Sequence, residues 1–418
     1  MVSLTLIRSL TRDQRNTFLA SFLGWTLDAF DFFLVTFVIV RLSTDFGKTV
    51  PQMLSAITIT LLLRPVGALL FGLLADKYGR RMPLMIDIAF YSLVELLTAF
   101  SPNFYVFYLL RALYGIGMGG EWGVGAALAM ETLPPRSRGL FSGILQEGYA
   151  FGFLLAGAVF VLVYPAFGWR GMFMVGVLPA LLILFIRSKV PESAVWQARA
   201  ARGLTTNRHF FAALIEHWPL FMYAIGLMAA FNFMSHGTQD LYPTFLQKQH
   251  RFSTNYVFIT NSIASIGAIC GGILFGSLSQ RFGRRRCIVV AALFGIAVIP
   301  LWIFSSTIAT LALGGYLMQF MVQGAWGIIP AHLNEISPDG IRGMFPGVVY
   351  QCGNVLAAGA AQLEASLAAS HFRLPGGGAD YAHAMALVVG IVFLAVIVLT
   401  VAGHEARDLD FAHVAAGD

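Results

Sequence analysis

GLLADKYGRR at Gly72–Arg81 and GSLSQRFGRR at Gly276–Arg285 are two copies of one element, 204 positions apart in a chain of 418 residues. Each follows an apolar segment long enough to cross a bilayer and ends in a pair of arginines. The same offset aligns Glu131, Pro134, Arg138 and Gly139 with Glu335, Pro338, Arg342 and Gly343. Two halves in like orientation are the layout of a transporter whose substrate lies near mid-membrane, between them.

Composition points the same way. Hydrophobic residues make up 57% of the chain and charged residues 11%, where a soluble domain carries roughly 25% charge. The hydropathy pattern predicts an all-α membrane protein of about twelve spans. They fall at roughly 18–42, 53–75, 83–100, 104–131, 138–165, 168–187, 218–247, 254–279, 286–306, 308–334, 343–369 and 383–402. The polar stretch between spans 6 and 7 gives the expected organisation: an N-terminal six-helix half over 1–187, a cytoplasmic linker over 188–217 and a C-terminal six-helix half over 218–418.

The net charge is +6, from 27 Lys and Arg against 21 Asp and Glu. The basic residues are not a nucleic-acid surface, because they cluster at span ends. Six of them (Arg41, Lys48, Arg170, Lys248, Arg251 and Arg373) lie in loops opposite the N-terminus, Arg64 and Arg111 lie within spans, and nineteen lie in loops on the N-terminal side. The positive-inside bias then places both termini in the cytoplasm and the chain in the plasma (inner) membrane. Cys270, Cys287 and Cys352 have no paired spacing, so neither a disulfide framework nor a metal site is expected. No cleavable signal peptide or lipidation motif is evident. No nucleophile–base constellation is present, so neither an enzyme nor a cofactor is expected.

In the repeated element, Gly72 and Gly79 permit close helix contact and a tight turn. Asp76 can pair with Arg80 or Arg81, or with the positive end of a helix, which makes these residues candidates for a conformational gate. The second copy keeps Arg284 and Arg285 but carries Gln280 in place of the acid, which predicts a weaker charge lock.

A second informative stretch is NFMSHGTQDLYPT, Asn232–Thr244, inside span 7. At 100° per residue, Asn232, Ser235, His236, Gln239 and Asp240 share one face. Hydrocarbon penalises polar groups without partners, so this face is expected to line a cavity. His236 sits at mid-span depth, where an imidazole can hold a carboxylate and change charge near neutral pH. Its bland reading is a buried histidine satisfied by Asp240 one turn on. Asp240 either orients His236 or carries a proton itself. Asn232 and Gln239 are candidate ligands.

The repeat offset places Asp28 and Asp31 of span 1 opposite Asn232 and Ser235. Two acids three residues apart repel, so one is expected to pair with a cation and the other to titrate. Arg64 is the natural partner for one of them, or else a fork for the substrate carboxylate. Arg111 either steers anions or bonds helix-end carbonyls. Glu121 and Glu147 are further proton-relay candidates. Gln351 and Asn354 lie on one face of span 11 near mid-depth, as candidate substrate ligands.

The G-x-x-x-D-x-x-G-R-R element resembles the signature of the major facilitator superfamily. RALYGIGMGGEWGVG (Arg111–Gly125), the E-x-x-P-x-x-x-R-G pattern from Glu131 and PES (Pro191–Ser193) resemble its sugar, metabolite and sialate porter branches. The span 7 stretch is similar to the N-x-x-[ST]-H-x-[ST]-Q-D-x-x-x-T signature of the fungal lactate permeases in the sialate:proton symporter family. Gln351 and Asn354 in QCGN resemble the Q-x-x-N that this family uses at its substrate site. The resemblance covers essentially the whole chain. It implies a twelve-helix major facilitator fold, a monomer, and proton-coupled uptake of lactate, pyruvate or similar small organic anions. One rival is a carrier of a bulkier acid, such as a sialic or aromatic acid. Another is a transport-deficient receptor that senses extracellular carboxylate.

Overall fold

The computed structural model describes residues 8–205, 207–374, 378–409 and 411. Among these the chain is helical, and the one β feature is an isolated antiparallel bridge between Arg373 and Ala379. The helices of the first half are α1 (Arg12–Asp45), α2 (Val50–Tyr78), α3 (Arg81–Ala99), α4 (Phe104–Thr132), α5 (Arg138–Gln146), α6 (Gly148–Val175) and α7 (Ala180–Lys189). Two short helices follow, α8 (Ala194–Ala201) and α9 (Asn207–Glu216). The rest are α10 (Trp218–Gln239), α11 (Tyr242–Lys248), α12 (Thr254–Phe282), α13 (Arg284–Ile303), α14 (Ile308–Trp326), α15 (Ile329–Ile336), α16 (Phe345–Ala357), α17 (Ala360–Ser370) and α18 (Tyr381–Ala402).

Local sequence sets where these helices start and break. Thr11 with Gln14, and Thr49 with Gln52, form capping boxes at the starts of α1 and α2. Asn103 and Asp380 cap α4 and α18. Among the described residues, nine helical runs are long and apolar enough to cross a membrane. One of these, Pro135–Lys189, covers two crossings, because Gly168 (φ 61°) leaves the helical region within it. Glycine-rich α4 and the broken pair α16–α17 supply the remaining crossings, consistent with twelve.

Spans 7 and 10 are each interrupted four residues before a proline. Pro243 and Pro330 have no N–H to offer the carbonyls of Gln239 and Trp326, and α10 and α14 end at those residues. The polar cluster predicted in span 7 therefore ends at a helix break, where backbone groups are free to face a cavity.

Within the first half, α2 packs on α4 and α1 on α6; within the second, α12 packs on α14 and α10 on α16. Between them, α5 packs on α12 and α16 on α2. Glycines make both crossings close. Gly139 and Gly143 meet the backbone of Gly272 and Gly276, and Gly72 meets Met344. These crossings lie toward the face that also carries residues 8–10 and the segment ending at Phe411, where Leu10, Leu133, Val195 and Phe411 share one apolar cluster.

Candidate functional site

At mid-depth, spans 7 and 11 are joined through His236. Its Nδ1 lies 2.9 Å from Asp240 Oδ2, and its Nε2 lies 3.1 Å from Asn354 Oδ1. An imidazolium donates to both at once. A neutral ring does so with one nitrogen, and the other then accepts from the Asn354 amide turned over. The His236 and Asp240 side chains are 29% and 47% exposed, so this pair is in contact with open space. Gln351, one turn before Asn354, is fully buried with neither amide atom bonded.

Asn232 turns back to its own helix, donating to Met228 O at 2.8 Å. Gln239 donates to Ser235 Oγ (3.2 Å) and to Gln319 Oε1 of α14 (2.8 Å), and Gln319 in turn donates to Thr238 Oγ1 (3.1 Å). Thr238, Gln239 and Gln319 line a cavity of about 290 Å³ with Glu147, Tyr149, Asn261 and Gln323. Glu147 Oε1 has no partner there. The polar residue Gln319 was not singled out from the sequence, because a lone glutamine in an apolar span has no spacing signal.

Aromatic rings pack beside this cluster and were also not foreseen. Trp122 stands 4.6 Å from Tyr350, Tyr350 5.5 Å from Trp326, and Trp25 5.6 Å from Tyr149, measured between ring centres. Trp25 and Trp122 donate to Gln146, and Trp326 to Phe231 O, so each of these three indole N–H groups is satisfied.

Asp28 and Asp31 of span 1 are fully buried inside the first half. Asp28 accepts from Tyr114 on its backbone oxygen (2.8 Å) and on Oδ1 (3.4 Å); neither oxygen of Asp31 has a partner. Arg64 does not pair with either. Its guanidinium points to Met118 Sδ and lies 5.3 Å from the Phe32 ring, and no carboxylate is within ion-pair distance among the described residues. Its charge reaches Asp28 on one side and His236, Tyr149 and Tyr350 on the other. Arg111 has a different environment. It is paired with buried Glu95 and lies 4.3 Å from the Tyr114 ring, so its charge has a carboxylate partner within the first half. The sequence signal for this pairing was Glu95, an acid inside span 3. Glu121 is buried against Gly24 with both oxygens unpartnered.

The repeated element assembles a closure between the halves. Asp76 accepts from the N–H groups of Gly343 (2.8 Å) and Met344 (3.1 Å) at the start of α16, in the opposite half. It also pairs with Arg80 at 2.7 Å, and Arg80 pairs with Glu131 at 2.8 Å. In the second copy, Arg284 pairs with Glu335 at 2.8 Å, and Gln280 Oε1 accepts from Gly139 N at 3.1 Å. Gly79 and Gly283 turn at φ 98° and 101°, where side chains are strained. The space beside each is filled by a carboxylate. Glu192 accepts from the N–H groups of Arg80 and Arg81, and Glu405 from those of Arg284 and Arg285. Arg81 and Arg285 also donate to carbonyls at the ends of spans 6 and 12, Arg187 O and Thr400 O. Glu405 escaped the repeat because it lies outside the offset that relates the rest.

A family description, Major Facilitator Superfamily, matches residues 21–362 and 241–406. A carboxylic acid transporter protein homolog of Saccharomyces cerevisiae is 30% identical, over 96% of this chain and 70% of its own. The sialic acid transporter NanX of Escherichia coli is 29% identical, over 81% of this chain and 84% of its own. The solved proton:xylose symporter XylE superposes with a TM-score of 0.75 at 18% identity, covering 97% of this chain and 98% of that one. With its repeated loop element, mid-depth polar cluster and helical architecture, the chain belongs to the major facilitator superfamily, as a multi-pass membrane transporter.

Proposed function

We propose that the chain is a proton-coupled symporter that imports short monocarboxylates such as lactate and pyruvate by alternating access. The observation that carries this reading is the hydrogen-bonded line Asp240–His236–Asn354, which joins spans 7 and 11 beside buried, unbonded Gln351. A carboxylate needs donors and a compensating cation at such depth. His236, Asn354 and Gln351 supply donors, and Arg64 supplies a cation that no acid has claimed. The similarity to a carboxylic acid transporter homolog supports the same substrate class.

In this scheme both termini are cytoplasmic, the chain sits in the plasma (inner) membrane as a monomer, and the structure is closed on its cytoplasmic side. A proton from outside is taken up on an acid among Asp240, Asp28 and Asp31, with Glu147 and Glu121 as relays. The substrate anion then binds by His236. Together they neutralise the cavity, and residues 1–187 rock against residues 218–418 around the linker 188–217. Ligands drive this change only by binding one state better than the other.

Radiolabelled L-lactate uptake into proteoliposomes tests the proposal. Accumulation under an inward proton gradient, abolished by a protonophore and competed by pyruvate, is the expected result. His236→Gln and Asn354→Ala are each expected to cut uptake about 10- to 100-fold, the cost of losing a hydrogen bond to a charged group. No lactate uptake by folded protein, together with uptake of a sialic or aromatic acid, would move the assignment to a bulkier substrate. Full accumulation by Asp240→Asn would remove Asp240 as a proton carrier.

A further inference from the structure

Glu364 lies on α17, in the outer part of span 11. It is fully buried, and neither carboxyl oxygen has a hydrogen-bond partner. The helix packs on α10 and α18. The carboxyl rests against Gly237, directly after His236. A Cβ at position 237 would stand 3.0 Å from Glu364 Oε1, so the glycine forms the niche that the carboxyl occupies.

The ionisable groups on the packed helices are few. On the α10 side they are His236, its partner Asp240 and, at the far end, Tyr223, which donates to Leu399 O. On α18 they are Tyr381 and His383 in the first turn, with His383 held by Asp380. What α18 presents beside Gly237 is Val389. No cation lies within ion-pair distance of Glu364 among the described residues, and the charge that acts on it is that of Asp240.

Two carboxyls thus stand close to one turn of span 7 in opposite conditions. Asp240 is bonded to His236 and half exposed, an environment that suits a carboxylate. Glu364 is enclosed and unpartnered, and such a site holds a neutral acid, because an isolated charge there is too costly. The other acids with neither oxygen bonded (Asp31, Asp87 and Glu121) belong to the first half, whereas Glu364 adjoins the helix turn that carries the substrate histidine.

We propose that Glu364 is a proton-coupling residue, which holds a transported proton behind span 7 while the structure is closed at its gate. This rests on the symport reading above. An O–H bond forms on one Glu364 oxygen as a proton leaves hydronium or a protonated Asp240, and it breaks again, the proton passing to water, when the opposite state opens the niche at Gly237 to the other side. No electrons are exchanged. A substrate anion at His236 adds negative charge nearby and strengthens proton binding, and by reciprocity the proton strengthens anion binding.

The test compares wild type, Glu364→Gln and Glu364→Asp in proteoliposomes, with L-lactate as the probe. Each pH unit of gradient drives about tenfold accumulation per coupled proton. Glu364→Gln is expected to lose that accumulation while keeping counterflow exchange, and Glu364→Asp to recover part of it with a shifted pH profile. Gradient-driven accumulation retained by Glu364→Gln would overturn the proposal, and so would loss of exchange in parallel with accumulation. A second measurement needs neither a Glu364 variant nor substrate. Dicyclohexylcarbodiimide, which attacks protonated carboxyls in apolar surroundings, should label Glu364 in the wild type, with a pH profile that moves in Asp240→Asn. Absence of label at Glu364 would overturn the proposal even if the variants failed to fold. Failure of wild type to take up lactate, with Glu364 labelled, would instead count against the substrate reading alone.

Discussion

At Gly72–Arg81 the loop grips the opposite half with a carboxylate; at Gly276–Arg285 the equivalent grip is made by an amide. Asp76 accepts from Gly343 N at 2.8 Å and Gln280 from Gly139 N at 3.1 Å, and the two pairs of residues share the repeat offset. The geometry is therefore kept and the charge is not. A carboxylate at a helix N-terminus gains from the helix dipole as well as from the hydrogen bonds. The neutral copy has gained a different partner, since Gln280 donates to Asp408 beyond span 12 at 2.6 Å. The difference teaches that the contact is shared unequally: one loop grips with a carboxylate, and the other with an amide that is also tied to the segment following the last span.

The largest expected effect lies where the copies are alike. Arg80–Glu131 and Arg284–Glu335 are both buried ion pairs at 2.8 Å. Removing one partner strands a charge, which costs about 3–5 kcal/mol. Glu131→Ala and Glu335→Ala should therefore lower thermal stability in detergent by similar amounts. A large loss for one and none for the other would show that the repeat is symmetric in geometry but not in energy.

The charge difference itself is tested next. Asp76→Asn removes the charged cap and should shift the balance toward the state open at this face by about 2 kcal/mol, roughly thirtyfold. Gln280→Asp should have a smaller effect, because the new carboxylate gains a helix start at Gly139 but meets Asp408. Spin-label distances between loops of the two halves report the populations. Equal shifts for Asp76→Asn and Gln280→Ala would break the comparison, because the carboxylate would then contribute no more than the amide.

Hydropathy and the repeat made the fold legible, since both follow directly from what a bilayer tolerates. The composition of the site was legible too: a polar face in span 7 and Gln351 with Asn354 in span 11. Pairings across spans were not. Glu131 and Glu335 were visible only as landmarks of the repeat, and nothing in their spacing says that each meets an arginine 51 residues earlier. Arg64 and Arg111 look equivalent in sequence, yet one is unclaimed and the other is held by Glu95. Glu364 escaped because a single acid among alanines carries no pattern, and its meaning depends on the niche at Gly237.

The smallest effect concerns the segment on which the second copy relies. The Phe411 ring lies between Arg138 of the first half and Arg342 of the second, at 3.7 and 4.0 Å from the two guanidinium carbons. It is buried, and Arg138 also donates to Leu409 O at 2.6 Å. A ring held between cations from both halves fits only while those halves are close, so it favours the closed gate over the open one. Phe411→Ala should release about 1 kcal/mol of cation–π attraction, a shift of roughly fivefold toward the open state. Phe411→Leu, which keeps the apolar bulk but not the ring electrons, should recover only the packing share. If Phe411→Ala left the populations unchanged while Gln280→Ala moved them, the amide would lock its half directly, and the asymmetry between the two copies would reduce to the charge of Asp76.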